Sequence, residues 1–156
     1  MNMEKMTNRT REALMAAQQL AVSNHNTELK NIHVLAALAD QQDGLIPSII
    51  EKLGIRKSLF QSNLNEALKA QPKVGSDSGQ DVYNSREFSM LLTEAAKQAE
   101  AMKDESVSVE HLFLAMFANP NSSVTPLLNK SGITSDRVLQ ALQTIRGNQR
   151  VTSADP

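Results

Sequence analysis

The chain has no cysteine among its 156 residues, no tryptophan, and only 3% aromatic side chains. Without cysteine there is no disulfide, no thiolate nucleophile and no Cys-ligated zinc, and a reducing cytosol is compatible with the sequence. Scarce aromatics beside plentiful Ala, Leu, Gln and Met favour helices over a sheet. Lys and Arg number 16 against 17 Asp and Glu, and the basic residues do not cluster. A nucleic-acid or anionic-membrane footprint needs such clustering, so neither partner is expected. No apolar run approaches the ~18 residues of a membrane span. The opening "MNMEKMTNRTREAL" has neither an apolar core nor a cleavage site, so a secretory signal is not expected and a cytoplasmic location is.

What is present is a repeat. "NIHVLAAL" at 31–38 returns as "VEHLFLAM" at 109–116, an offset of 111 − 33 = 78 residues. The same offset carries a helical face of Ala13, Leu14, Ala17 and Ala21 onto Leu91, Leu92, Ala95 and Ala99, and carries the N-cap candidate Thr7 onto Ser85. "PSIIEKLGI" matches "PLLNKSGI" with one residue deleted, which aligns Gly54 with Gly132. A fourth amphipathic stretch closes each copy: Leu59, Phe60, Leu64, Ala67 and Leu68 in one, Val138, Leu139, Leu142 and Ile145 in the other. The periodicity predicts helices at 7–24, 31–41, 46–53 and 57–69, then at 85–102, 109–118, 123–131 and 135–146. Gly54 and Gly132 suit left-handed helix ends. Thr134 suits an N-cap, with Ile133 and Val138 as a hydrophobic staple.

The fold class expected is all-α: eight helices in two pseudo-twofold four-helix repeats, each too small to bury its apolar face alone. One domain is expected over 1–147, with repeat one at about 7–69, a linker at 70–84 centred on Gly75–Gly79, and repeat two at about 85–146. Residues 148–156 read as a polar tail leaving the domain.

The repeated histidines, His33 and His111, invite a metal or catalytic reading. His25 is the only other histidine, no His-x₃-His or HExxH pairing exists, and "GSDSG" at 75–79 lacks the GK[ST] ending of a phosphate loop. There is no Gly-x-Ser-x-Gly elbow. A residue that recurs with the repeat serves the repeat, so each His is expected as a partly buried ring bonded to backbone. Asp104 and Glu105, neighbours at a helix end, read as solvated charge. No enzyme, no metal site and no cofactor is expected within this chain.

The doubled pattern "MTNRTREALMAAQQLA…NIHVLAAL…LGI" and "YNSREFSMLLTEAAKQAE…SVEHLFLAM…SGI" resembles the N-terminal domain of Clp/Hsp100 chaperones over about residues 3–147. "MTN" and the linker "QPKVGS" are most similar to the ClpB disaggregases. ClpC-type domains carry a Glu before both repeated histidines and use the pair to hold phosphoarginine; here the positions are Ile32 and Glu110. The resemblance implies a non-catalytic, substrate-binding domain. It would capture unfolded or aggregated polypeptides and pass them to a hexameric ATPase ring, whose ATP and Mg sites lie in other modules. The isolated domain is expected to be a monomer. Carried over singly, the resemblance implies substrate-handling roles for Thr7, Asp104 and Glu110. Asp104 and Glu110 would attract basic residues of a client. An apolar groove between the repeats is expected to include Phe88, Met90 and Leu92, although Glu94 and Gln98 stand where ClpB domains can have Leu. The alternative reading is an adaptor-docking domain of the ClpA or ClpC kind.

Overall fold

Thr7, Ser85 and Thr134 each begin a helix, and each hydroxyl oxygen accepts the N–H three residues on, from Thr10, Phe88 and Arg137. These caps satisfy donors that a helix start leaves unpaired. The computed structural model describes residues 5–74, 81–147, 151–152 and 154–155. Residues 75–80, which hold most of the expected linker core, lie outside the described residues, as do 148–150, 153 and 156 of the tail.

Eight α-helices occur among the described residues: α1 (Asn8–Ser23), α2 (Asn31–Asp40), α3 (Leu45–Lys52), α4 (Lys57–Lys69), α5 (Arg86–Ala101), α6 (Val109–Ala115), α7 (Thr125–Lys130) and α8 (Ser135–Arg146). The all-α class and the eight helices of the sequence reading are therefore present. Two differences are local. The chain after α6 tightens into a 3₁₀ turn at Met116–Ala118. The seventh helix begins at Thr125 rather than 123: the Ser122 N–H donates to Thr125 Oγ1, whose hydroxyl also meets that of Ser122, and Ser123 bonds to Glu87.

The 78-residue offset recurs in the backbone. A two-residue parallel ladder joins β1 (Glu28–Leu29) to β2 (Tyr83–Asn84), with Leu29 opposite Asn84. Its counterpart is the parallel bridge of Met6 with Val107, where 84 − 6 = 107 − 29 = 78. Ser85 N–H donates to Leu29 O at 3.1 Å, and Thr7 N–H to Val107 O at 3.0 Å. Left-handed residues also pair at this offset: His25 (φ 56°) with Lys103 (φ 60°), and Gly54 (φ 76°) with Gly132 (φ 70°). Each half therefore pairs its entry to the first helix with the segment before the other half's second helix.

The core is shared between the halves. Ile32, Leu35, Leu38, Ile46, Ile49, Leu112, Phe113 and Met116 are buried and form one cluster. α1 packs on α2 and α5 on α6, while α3 meets α6 and α8, and α4 meets α7. Burying eight such side chains stabilises the fold by about 1.5–3 kcal/mol each before entropy is subtracted.

The tail does not leave the domain at α8. Val151 is buried, its N–H donates to Asp104 Oδ1 at 2.8 Å, and its carbonyl accepts the Glu105 N–H at 2.8 Å. Asn8 N–H donates to Ala154 O at 2.9 Å, and Asn8 Nδ2 to Asp155 Oδ1 at 2.7 Å. Composition hid this return, since one valine among polar residues forms no stripe. The first half does the same after α4: Pro72 O accepts the Thr27 N–H at 3.4 Å, and Val74 N–H donates to His25 O at 2.8 Å.

Candidate functional site

The repeated histidines cap the start of the second helix in each half. His33 and His111 occupy the third helical position, where a Glu would complete a capping box. Their Nδ1 atoms accept the N–H of Lys30 at 2.9 Å and of Ser108 at 2.8 Å. With Nδ1 accepting, Nε2 carries the proton and donates, to Asn26 Oδ1 at 2.8 Å in one half and to Asp104 Oδ2 at 2.7 Å in the other. Both rings are fully buried, deeper than the sequence suggested, and the backbone bond is the one expected of a repeat residue. Burial pushes His33 down to about 4, against the weaker opposing effect of its backbone bond. Burial also lowers His111, although the neighbouring Glu110 and Asp104 charges pull the other way.

Around Asp104 the second half differs chemically from the first. Lys103, left-handed, closes α5, and Asp104 N–H returns to Ala99 O at 2.9 Å. This turn directs the carboxylate inward. Asp104 accepts from His111, from the Arg146 guanidinium and from the Val151 N–H. Glu110 accepts from Ser108 Oγ and from Arg146 Nη1, the latter at 3.3 Å. Burial alone would raise the Asp104 pKa; the Arg146 guanidinium, the Val151 N–H and His111 together outweigh it and hold the carboxyl below the usual range. At the first half's corresponding positions stand Asn26, Ile32 and Leu68, with Ile32 and Leu68 buried in the apolar core. Asp104 and Glu110 thus share the one Arg146 guanidinium.

The sequence-derived site residues fall in three settings. Asp104 and Glu110 come together on Arg146; Asp104 is therefore a buried network member rather than the solvated charge expected, while Glu105 beside it is exposed. Thr7 is buried against the same loop: its hydroxyl caps α1 and meets Thr10 Oγ1 at 2.7 Å, and Thr10 Oγ1 donates to Val107 O at 2.9 Å. Phe88, Met90 and Leu92 do not share one surface. Phe88 is 5% exposed and belongs to the core, Met90 is 51% exposed, and Leu92 is half-buried against the core. Positions two apart on a helix face away from each other, so Met90 cannot line a groove with either neighbour. A cavity of about 300 Å³ between α4 and α7 is lined by Ala67, Leu127 and Lys130 among others and by none of these three.

A larger cavity of about 730 Å³ lies beside the Asp104 loop. Thr93, Ala96 and Ala99 on α5 form one wall, Ser106 and Val107 the other, with Lys5, Glu100 and Glu105 alongside. Sequence reasoning missed Thr93, Ala96 and Val107. Small residues at 93 and 96 were the available signal, because they leave room where the first half carries Met15 and Gln18.

Three comparisons place this architecture. The profile of the Clp repeat (R) N-terminal domain family matches residues 5–131, so the chain belongs to that family. It is 40% identical over 159 residues to the chaperone protein ClpB of Bacillus cereus (strain ATCC 14579), a match covering 100% of this chain and 18% of that protein. The chain thus spans under a fifth of the length of that relative. Its fold matches the Hsp104 N-terminal domain from Candida albicans with a TM-score of 0.85 at 23% identity, covering 97% of this chain and 99% of the other. It also matches a ClpV N-domain solved in complex with a VipB peptide, with a TM-score of 0.67 at 16% identity, over 96% and 91% of the two chains.

Proposed function

We propose that this chain is the client-binding N-terminal domain of a ClpB-type disaggregase. It performs no chemistry of its own. It holds unfolded or aggregated polypeptide and passes it to ATPase modules, with their ATP and Mg, that lie outside these residues. The observation that carries the reading is the 730 Å³ cavity along the Asp104 loop. Its small apolar walls at Ala96, Ala99 and Val107 suit short aliphatic side chains, and Glu100 and Glu105 outnumber Lys5 at its rim. Asp104 and Glu110 serve it indirectly, by fixing the loop through Arg146. An extended client segment with aliphatic residues and flanking Lys or Arg fits this surface.

Binding of this kind is weak. A few hundred Å² of apolar contact at ~25 cal/mol/Å² yields several kcal/mol, and ordering the client removes most of it. Several such domains on one hexameric ring recover the loss through effective concentration.

Amide chemical-shift mapping with an unfolded, Lys-flanked aliphatic peptide tests the reading. Shifts should gather at Thr93, Ala96 and 104–107, and Ala96→Asp should abolish them. Shifts confined to the α4–α7 cavity would refute the site.

A second reading, docking of a partner or adaptor protein, is supported by the ClpV N-domain complex, whose fold this chain shares. Titration with a chemically unfolded protein against a folded adaptor separates the two readings, since only the first predicts that unfolding the ligand creates the binding.

A further inference from the structure

The ends of α3 and α7 share a cavity of about 280 Å³ with the starts of α4 and α8. The 78-residue offset carries α3 onto α7 and α4 onto α8, so a strict repeat would line this cavity alike from both halves. It does not. Leu59 corresponds to Arg137 and Leu53 to Ser131, where 137 − 59 = 131 − 53 = 78. The first half contributes an apolar wall of Leu53, Ile55 and Leu59, the last of them 55% exposed. The second half contributes Lys130 and Arg137, and Arg56 adds a third cation from the start of α4.

These cations are uncompensated. The Arg137 guanidinium donates to Gly132 O at 2.5 Å and to Leu53 O at 2.9 Å, so it clasps both turns while its partners stay neutral. Arg56 and Lys130 form no ion pair among the described residues, and no carboxylate lines the cavity. Like charges gathered at one apolar wall repel one another, and a carboxylate brought between them relieves that repulsion. The cavity also continues. Asn63 and Lys130 line it together with the 300 Å³ cavity between α4 and α7, which runs on past Ala67, Ala70 and Leu127. Leu59, Asn63, Ala67 and Ala70 lie on one face of α4, so the two cavities form a single furrow, cationic at one end and apolar along its length. Glu66 is the one acid in that lining, at the far end from Arg137.

We propose that this furrow is a docking site for an acidic–aliphatic segment of a partner protein. Carboxylates of the segment meet Arg56, Lys130 and Arg137, and its aliphatic side chains cover Leu59 and lie along Ala67 and Leu127. An inorganic anion would use the cations and leave Leu59 in water, whereas a purely apolar segment would cover Leu59 and leave the cations unpaired; a segment with both chemistries satisfies both walls. The charge preference is the reverse of that at the cavity beside the Asp104 loop, where a Lys- or Arg-flanked segment fits. The domain thereby sorts two kinds of partner by sign on two surfaces, and the furrow stands whether or not the other cavity takes clients.

The test uses a fluorescent peptide with two Glu ahead of a short run of Leu and Ala, and its counterpart with Gln in place of Glu, each titrated onto the domain by anisotropy. The Glu peptide should bind the parent chain about tenfold more tightly than the Gln peptide, and added salt should narrow the gap. Arg56→Glu with Lys130→Glu should erase it. Both side chains are exposed, and Arg56 makes no side-chain cap to α4, so the fold does not depend on them; Arg56→Gln with Lys130→Gln repeats the test without reversed charge. Arg137 is kept because it holds the turns. Leu59→Ser should weaken both peptides alike, and Ala96→Asp should change neither. Equal binding of the two peptides, or full retention of the gap in both double variants, overturns the proposal. Unchanged affinity in Leu59→Ser overturns it too, by reducing the furrow to a site for any anion. Loss of binding in Ala96→Asp overturns it by moving the peptide to the cavity beside the Asp104 loop.

Discussion

Asp104 accepts the Nε2–H of His111 at 2.7 Å, and in doing so takes the place that Asn26 holds opposite His33, at 2.8 Å. One geometry is thus built twice, neutral in the first half and ionic in the second. The difference is carried by three positions: Asn26, Ile32 and Leu68 against Asp104, Glu110 and Arg146. The first set needs only packing and one amide hydrogen bond. The second requires that a guanidinium compensate two buried carboxylates.

That contrast sets the cost of single substitutions. Arg146→Leu leaves Asp104 and Glu110 buried without their cation and should destabilise the domain by about 3–5 kcal/mol. The triple variant Asp104→Asn, Glu110→Ile, Arg146→Leu rebuilds the first half's chemistry and should be more stable than Arg146→Leu alone. Urea denaturation of the two variants at neutral pH measures the difference; a triple variant weaker than the single would refute the equivalence of the halves.

His33 makes the fold acid-sensitive. Its folded pKa, about 4, lies below the ordinary 6.5, so the unfolded chain binds the extra proton between those values. Stability contributed by the neutral ring is complete above pH 6.5 and falls as pH drops toward 4, by about 3 kcal/mol over that window. Asp104, with its lowered pKa, adds a further loss at lower pH as its carboxyl is protonated. Asn26→Asp places a carboxylate opposite His33 and should raise the His33 pKa by at least about one unit, read from the imidazole proton shifts. No movement of the titration would contradict the assigned Nε2–H donor.

Glu87 ties the halves together at another point. Its carboxylate accepts the N–H groups of Asn31 at 2.9 Å and Ser123 at 3.0 Å, and Ser123 Oγ at 2.5 Å, while Ser123 Oγ receives the Ile32 N–H at 3.0 Å. Hydrogen bonds to a charged acceptor contribute about 1.5–3 kcal/mol. Glu87→Ala should therefore cost about 2 kcal/mol in thermal or urea unfolding, and Glu87→Gln less. Faster amide exchange at Asn31, Ile32 and Ser123 in the Ala variant would locate the loss.

Gly54 and Gly132 end equivalent helices at φ 76° and 70°, and an added Cβ would meet no close neighbour at either position. The cost of Ala there is backbone strain alone, about 1 kcal/mol at each site. Gly54→Ala and Gly132→Ala should lower the midpoint of thermal unfolding by similar amounts, and a large asymmetry would argue against equivalent turns.

The sequence alone determined the helices and their doubling. Ala13–Ala21 and Leu91–Ala99 repeat one apolar face, Thr7, Ser85 and Thr134 are short polar caps, and two glycines mark the turns. These are local signals, set by periodicity and backbone sterics within a few residues. Tertiary structure decided what the second half's charges do. Asp104, Glu110 and Arg146 are up to 42 residues apart, and no local pattern says that Arg146 meets both acids or that Val151 returns to the same carboxylate. It also placed Phe88 in the core and left a cavity beside Thr93 and Ala96. Helix formation depends on neighbours along the chain, whereas a buried charge needs its partner in space, and only the packed fold supplies that.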